Sequence, residues 1–283
     1  MRNKILIIAL AALVGVGAAG VQAWTQDTPE PLAISEVVDG LYVIVGSGGN
    51  VAVRVTDDGV VVVDNKFEQN YDEIMERIRS VTNQPVRYVL NTHHHGDHSG
   101  GNVHFAENAQ IIGHENVRAN IIRGGQAGPP PITFSGSAAV FVGDVEVQAH
   151  HVGRGHTNGD AVILFPDLGV IHTGDLFVSS TPYMDYGNGG SGASWVAALN
   201  NILELDFDTV IPGHGPVLSK ADIREFRNKF ETLLERADAL ISEGVTADQF
   251  AVRLDTSDLG WNYSEGFVAS SIPNLYNELN GAE

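Results

Sequence analysis

The chain contains no cysteine. That absence excludes disulfides, lipid attachment through a thiol and thiolate ligands, so any bound metal must be held by nitrogen and oxygen. Basic residues are scarce: sixteen lysines and arginines stand against thirty-five aspartates and glutamates, a formal charge of −19 at pH 7. A field of that sign repels polyphosphate, which excludes nucleic acid as a partner and disfavours anionic membrane surfaces. The apolar run from Ile5 to about Val16 is short against the ~20 residues of a membrane span. Arg2 and Lys4 precede it, and small residues lead from it to Val21-Gln22-Ala23, an acceptable signal-peptidase site. The pattern predicts a secretory signal over residues 1–23, a mature domain over residues 24–283, export to the periplasm and no membrane attachment after cleavage. An uncleaved anchor is the alternative. With 283 residues, 43% of them hydrophobic, the chain can build one large α/β core, and a domain of this size needs no disulfides after export.

Beyond the proline-containing linker TQDTPEPLA, three β-rich runs follow: Leu41 to Val45, Val51 to Thr56 and Val60 to Asp64. Asp57-Asp58-Gly59 between the last two signals a hairpin. Tyr71, Ile74, Met75, Ile78 and Val81 recur at helical spacing, which predicts a helix over 68–81 ended by Pro85. Strands are expected at 87–90, 110–112, 161–165, 170–172 and 209–211, and a hairpin over 139–147 turning at Gly143-Asp144. Helices are expected at 115–122 and 194–205, with three more making a helical tail from Ser219 onward.

The stretch NTHHHGDHSGG, Asn91 to Gly101, puts four histidines and an aspartate just after an apolar strand. In an extended loop alternate residues face the same way, so His93, His95 and Asp97 converge, and His98 reaches the same space beyond the turn. Such donors and acceptors without partners are costly, and a divalent cation resolves the conflict. Three further candidate ligands follow apolar strands and sit beside glycine: His156 in GRGHTNGD, Asp175 in IHTGD and His214 in IPGHG. His94, His104, His114, His150, His151 and His172 take the ordinary reading of surface or packed histidines.

The H-x-H-x-D-H run from His93 to His98, the later His156, Asp175 and His214, and the strand-end Asp64 in VVVVDNK together resemble the metallo-β-lactamase superfamily of metal-dependent hydrolases. The resemblance runs from about Ile34 to about Leu218 and implies an α/β fold, a four-layer αββα sandwich with the site along one edge. It also implies two zinc ions per chain: one held by His93, His95 and His156, a second by Asp97, His98 and His214, with Asp175 reaching the second or bridging both. Asp64 would fix the loop rather than ligate. Nitrogen and oxygen donors suit zinc and leave iron and manganese open.

Two such cations acidify a shared water, so an amide, ester or thioester carbonyl can be hydrolysed without a serine or cysteine nucleophile, and Asp97 is expected to orient the water and carry its proton. The segment Val152 to Asp175 resembles subclass B1 β-lactamases, which makes β-lactam hydrolysis, and with it antibiotic resistance, the leading expectation. A lactonase or other ester or thioester hydrolase is the alternative, and a periplasmic zinc-binding protein the non-enzymatic one. Two departures bear on the substrate: Asp175 stands where that subclass has a cysteine, and Val178 where it has a lysine that binds the drug's carboxylate. Arg154 is the first candidate for a replacement cation, followed by Arg118 and Arg123, and Tyr183 is the candidate for apolar contact with a small-molecule substrate. The short polar loop Gly46 to Asn50 replaces a longer hydrophobic flap and suggests an open site.

Overall fold

The computed structural model describes residues 31–264 and 266–281; the expected signal segment and the start of the mature chain lie outside them. Two sheets form. The first takes seven strands in chain order, β1 (Ala33–Val38), β2 (Leu41–Val45), β3 (Val51–Thr56), β4 (Gly59–Val63), β5 (Val86–Asn91), β6 (Gln110–His114) and β7 (Ile132–Phe134). The second takes six: β8 (Ser137–Val142), β9 (Val145–His150), β10 (Val162–Phe165), β11 (Val170–His172), β12 (Thr209–Ile211) and β13 (Leu218–Ser219), with β13 and β8 at its edges. Antiparallel hairpins open each sheet, while β4, β5, β6 and β7 run parallel, as do β11 and β12.

Burial explains the layering. Val61 and Val63 of β4 point with Leu90 of β5 toward Val147, Ile163, Phe165 and Ile211 of the other sheet, closing a dry core between the two. Their neighbours Val60, Val62 and Val89 point the other way and bury Ile74 and Ile78 of helix α1 (Tyr71–Val81). Strands buried on both faces read as continuous apolar runs, which is why VVVV carries no alternation. On the far side, Val162, Leu164 and Val210 pack against Trp195, Leu199 and Ile202 of α5 (Gly192–Leu203) and Phe226 and Phe230 of α6 (Lys220–Ser242), the helices numbered α2, α3 and α4 lying between α1 and α5. The order is helix, sheet, sheet, helix, the αββα sandwich expected from the resemblance. Among the described residues no helix is long and apolar enough to cross a membrane.

Most predicted elements fall within one or two residues of those observed; the helix expected from 68 begins as a 3-10 turn at Glu68–Asn70 ahead of α1, and the hairpin expected over 139–147 runs from 137 to 150. β1, β7 and β13 were not expected, whereas the three helices expected in the tail are α6, α7 (Ala247–Arg253) and α8 (Ser271–Leu279). Two four-residue helices, α2 (Gly96–Ser99) and α3 (Asn102–Phe105), follow β5, and α4 (Glu115–Arg123) follows β6.

Candidate metal centre

The ends of β5, β11 and β12 and the start of β10 meet at one edge of the sandwich, and the polar residues there come from the loops that join them. His93 to His98 leave β5 and enter α2, whose first turn carries Asp97 and His98. Asp175 sits in a 3-10 turn after β11. His214 follows β12, and His156 precedes β10.

Ligand atoms of His93, His95 and His156 lie within reach of one cation; so do those of His93, His98 and Asp175, and those of Asp97, His98 and His214. All seven residues expected as ligands are therefore brought together. Asp175 lies between the groups: its Oδ2 is 4.0 Å from His93 Nε2 and 3.6 Å from His156 Nε2, while its Oδ1 is 3.2 Å from His98 Nε2 and 3.5 Å from His214 Nε2. Asp97 Oδ2 stands 3.3 Å from His214 Nε2 and 3.7 Å from His98 Nε2.

The outward bonds of the imidazoles show what the inward nitrogens are free to do. His156 Nδ1 donates to the Tyr183 carbonyl at 2.7 Å, and His95 Nε2 donates to Asp185 Oδ2 at 2.8 Å. With those protons placed outward, His95 Nδ1 and His156 Nε2 face each other 2.9 Å apart as two bare lone pairs. Thr92 Oγ1 gives its proton to Asp64 Oδ2 at 2.7 Å and so accepts from His93 Nδ1 at 3.1 Å, which leaves His93 Nε2 bare, buried and without a partner. Three lone pairs directed at one point repel unless a cation stands between them. The donor set fits a metal.

The second group asks for positive charge in another way. Burial resists charging His98, yet Asp175, Asp97 and Asp64 raise its pKa well above the usual imidazole range. Burial likewise opposes the charged form of His214, and hydrogen bonds to Asp175 and Asp97 lift it to about 9. On the first side burial, reinforced by His95, lowers His156 to about 4, so its ring stays neutral. A carboxylate-rich half and a neutral all-imidazole half share one site.

Supporting residues come from elsewhere in the chain. Asp64, fully buried, accepts from Thr92 N at 2.8 Å, from the Thr92 hydroxyl and from His98 Nδ1 at 2.7 Å. Its φ of 60° and that of Lys66 at 57° place both in the left-handed region, a local cost that these contacts offset. Lys66 is fully buried and donates from Nζ to Gly49 O at 2.6 Å; burial brings its pKa down to about 8 against the pull of Asp97 and Asp64. The loop from Gly46 to Asn50 is tied down beside the site: Gly49 N donates to Asp97 O at 3.0 Å, and Asn50 Nδ2 donates to Pro212 O and Gly215 O, each at 2.9 Å. A β-carbon at Gly49 would collide with the His98 ring, so the close approach requires glycine.

Asp185, Lys66 and Asn50 escaped the sequence reading. Asp185 had one available signal, an acidic residue in the same glycine-rich loop as Tyr183. His94 turns from Asp175 and lies 4.0 Å from Asp185 Oδ2, and both ring nitrogens of His172 are bonded, to Asn50 O and Gly174 N. Met184 and Tyr186 pack the loop down, while Tyr183 faces the site.

A cavity of about 570 Å³ opens over the cluster, lined by His95, Asp97, His156, Asp175 and His214 below and Val178, Ser180, Thr181, Tyr183 and Phe267 around it. Among the described residues no lysine or arginine lines it. Arg154, the expected cation, is exposed and does not reach the lining; the backbone bends from Gly155 onward, so the alternation that would set residues 154 and 156 on one face of an extended run does not hold there. Arg118 is committed to Pro130 O at 2.8 Å, and Arg123 to Asn120 Oδ1 at 3.0 Å and to Asn188.

Comparison with known proteins agrees with this geometry. The family model described as the metallo-beta-lactamase superfamily matches residues 44–214. The 2,4-dinitroanisole O-demethylase subunit alpha of Nocardioides sp. (strain JS1661) is 29% identical over 239 residues, covering 79% of this chain and 68% of its own. A metallo-beta-lactamase type 2 of Elizabethkingia meningoseptica is 26% identical over 217 residues, 72% of this chain and 86% of its own. Among solved structures, the metallo-beta-lactamase from Pontibacter korlensis aligns with a TM-score of 0.64 at 18% identity, over 71% of this chain and 99% of that one. FIM-1 from Pseudomonas aeruginosa in its mono-zinc form aligns with a TM-score of 0.63, also at 18% identity, over 71% of this chain and 96% of that one.

Proposed function

The chain belongs to the metallo-beta-lactamase superfamily of metallohydrolases, and on that premise we propose that it hydrolyses the acyl C–O bond of a small uncharged molecule, an ester or lactone, with two zinc ions in the site. One observation carries the substrate class: the ligand clusters open on a cavity whose lining, among the described residues, holds no lysine or arginine. A substrate whose carboxylate must be held by a lysine or arginine would find none there among the described residues. β-Lactam hydrolysis is the second reading, favoured by the likeness to the Elizabethkingia enzyme.

His93, His95 and His156 would hold one cation, Asp97, His98 and His214 the other, and the two oxygens of Asp175 face one group each. Cations bound there would supply Lewis-acid polarisation of the carbonyl and would lower the pKa of water toward neutrality. Asp97, at the cavity wall, orients the attacking water by accepting its proton and is placed to return that proton to the leaving oxygen. Asp185 and the Tyr183 carbonyl hold His95 and His156 in the tautomers that present bare nitrogens inward.

The decisive experiment measures opening of an acyl lactone, an aryl ester and a chromogenic cephalosporin by the zinc-loaded chain, with and without a chelator. Turnover of the lactone or ester that chelation abolishes and zinc restores supports the reading. A cephalosporin rate above both would put the β-lactam first, and inertness toward all three by a protein shown to hold two metals sinks the hydrolase assignment.

Asp185 is a positioning residue. Burial would raise its carboxyl, but the hydrogen bonds from His95 and Asn188 bring it down to about 2. Asp185→Ala is expected to weaken zinc binding at the first cluster by about 10- to 100-fold and leave the second unchanged. Competition with a chromophoric chelator reads both affinities; an unchanged tighter site would remove Asp185 from this role.

A further inference from the structure

The outer wall of the cavity does not come from the loops that hold the histidines. Phe267 belongs to the 3-10 turn Phe267–Ser270, well beyond residue 214, where the family match ends. It is a large apolar side chain left 72% exposed, at the mouth of the cavity. Its ring meets Tyr183 edge-on, centroids 4.9 Å apart and planes at 87°. Tyr183 lies nearly parallel to the His95 ring, 6.2 Å away and 26° inclined. Three rings thus lead from the metal cluster to the rim.

The backbone fastens this arrangement on both sides. Asn262 N donates to Thr181 Oγ1 at 2.9 Å, before Phe267, and Met184 N donates to the buried Ser271 Oγ at 3.1 Å, after it. Behind the turn, Ile272 and Leu275 of α8 enter the core, and Glu278 accepts from Tyr186 Oη at 2.8 Å and Ala193 N at 3.1 Å. An exposed aromatic held in place at a pocket mouth keeps apolar surface in water that a bound molecule can cover. Edge and face of two rings at right angles favour a third aromatic group over a flexible chain.

We propose that Phe267 and Tyr183 form the acceptor wall for an uncharged aromatic substituent beside the scissile carbonyl, so that the C-terminal segment selects the substrate. The proposal rests on the hydrolase reading of the metal centre, and it also bears on the likeness to a protein named for acting on 2,4-dinitroanisole, an uncharged aromatic ether. Val178 and Thr181 complete the wall, and neither offers a charge.

Hydroxamates probe the wall without turnover, because their head group chelates metal while the tail varies. The zinc-loaded full chain is expected to bind benzohydroxamate about tenfold more tightly than acetohydroxamate. Phe267→Ala should bring that ratio close to one without moving the acetohydroxamate affinity, Phe267→Leu should restore part of it, and a carboxylate at the far end of the ring should weaken binding. Melting temperature checks that the variants fold. Equal affinities in the unaltered protein, a ratio indifferent to Phe267→Ala, tighter binding of the carboxylated ring, or no binding of either hydroxamate by metal-loaded protein each overturn the proposal. A retained preference alongside inertness toward every ester and lactone would leave the wall standing and sink the hydrolase reading alone.

Discussion

Asp97→Asn is expected to lower kcat by about 10³-fold or more while the protein stays folded. Burial works to raise the Asp97 carboxyl, but His98 and His214 hold it at about 2, so it is ionised across the working range and presents an acceptor oxygen that orients water. An amide of the same shape keeps an oxygen for the cluster and loses the basic site. The fold should not notice, because no hydrogen bond of the Asp97 side chain to backbone supports α2; that helix is started by Ser99 N and His98 N bonding back to His95 O. Three readouts separate the possibilities: turnover, zinc content and the far-UV circular dichroism spectrum. Loss of turnover with two zinc ions retained assigns the proton to Asp97. Loss of one zinc assigns it to holding the cluster. Turnover within tenfold of the unaltered protein would remove Asp97 from the chemistry. A protein that only stores zinc has no Asp97-dependent rate to lose.

Sequence alone carried the inner part of this site because its residues are spaced locally or introduced by strands. His93, His95 and Asp97 alternate in one loop, and His156, Asp175 and His214 each stand next to an apolar strand and a glycine, so backbone geometry brings them to one edge once the sheets form. Long-range partners left no such trace. Asp185 bonds His95 across ninety positions, Asn50 reaches Pro212 and Gly215, and Phe267 arrives from the tail. The missed strands share one cause: β1 and β7 lie at sheet edges, β13 has two residues, and each depends on a single neighbour more than on its own pattern. Arg154 failed as a substrate anchor for the converse reason. A residue two positions before His156 would share its direction only in an extended run, and the backbone bends from Gly155 onward.

The largest loss of stability is expected from Asp64. Its carboxylate is fully buried and joins the two halves of the centre: it accepts from His98 Nδ1 on the carboxylate-rich side and, through the Thr92 hydroxyl, fixes His93 on the imidazole side. Asp64→Ala would strand three buried donors, Thr92 N, the Thr92 hydroxyl and His98 Nδ1–H, and place an alanine at a φ of 60°. With one to three kcal/mol for each unsatisfied group, less what relaxation and entering water recover, the expected cost is about 3–5 kcal/mol. Urea unfolding of metal-free protein measures it apart from any ligand effect, and a change under ~1 kcal/mol would show that Asp64 is not the buried node described. Zinc titration then divides its two arms. Thr92→Val breaks only the arm to His93 and should weaken the first cluster alone, whereas Asp64→Ala should weaken both. If the two variants weaken the same cluster equally, the arm to His98 contributes nothing, and the metal centre is ordered from β5 rather than from the end of β4.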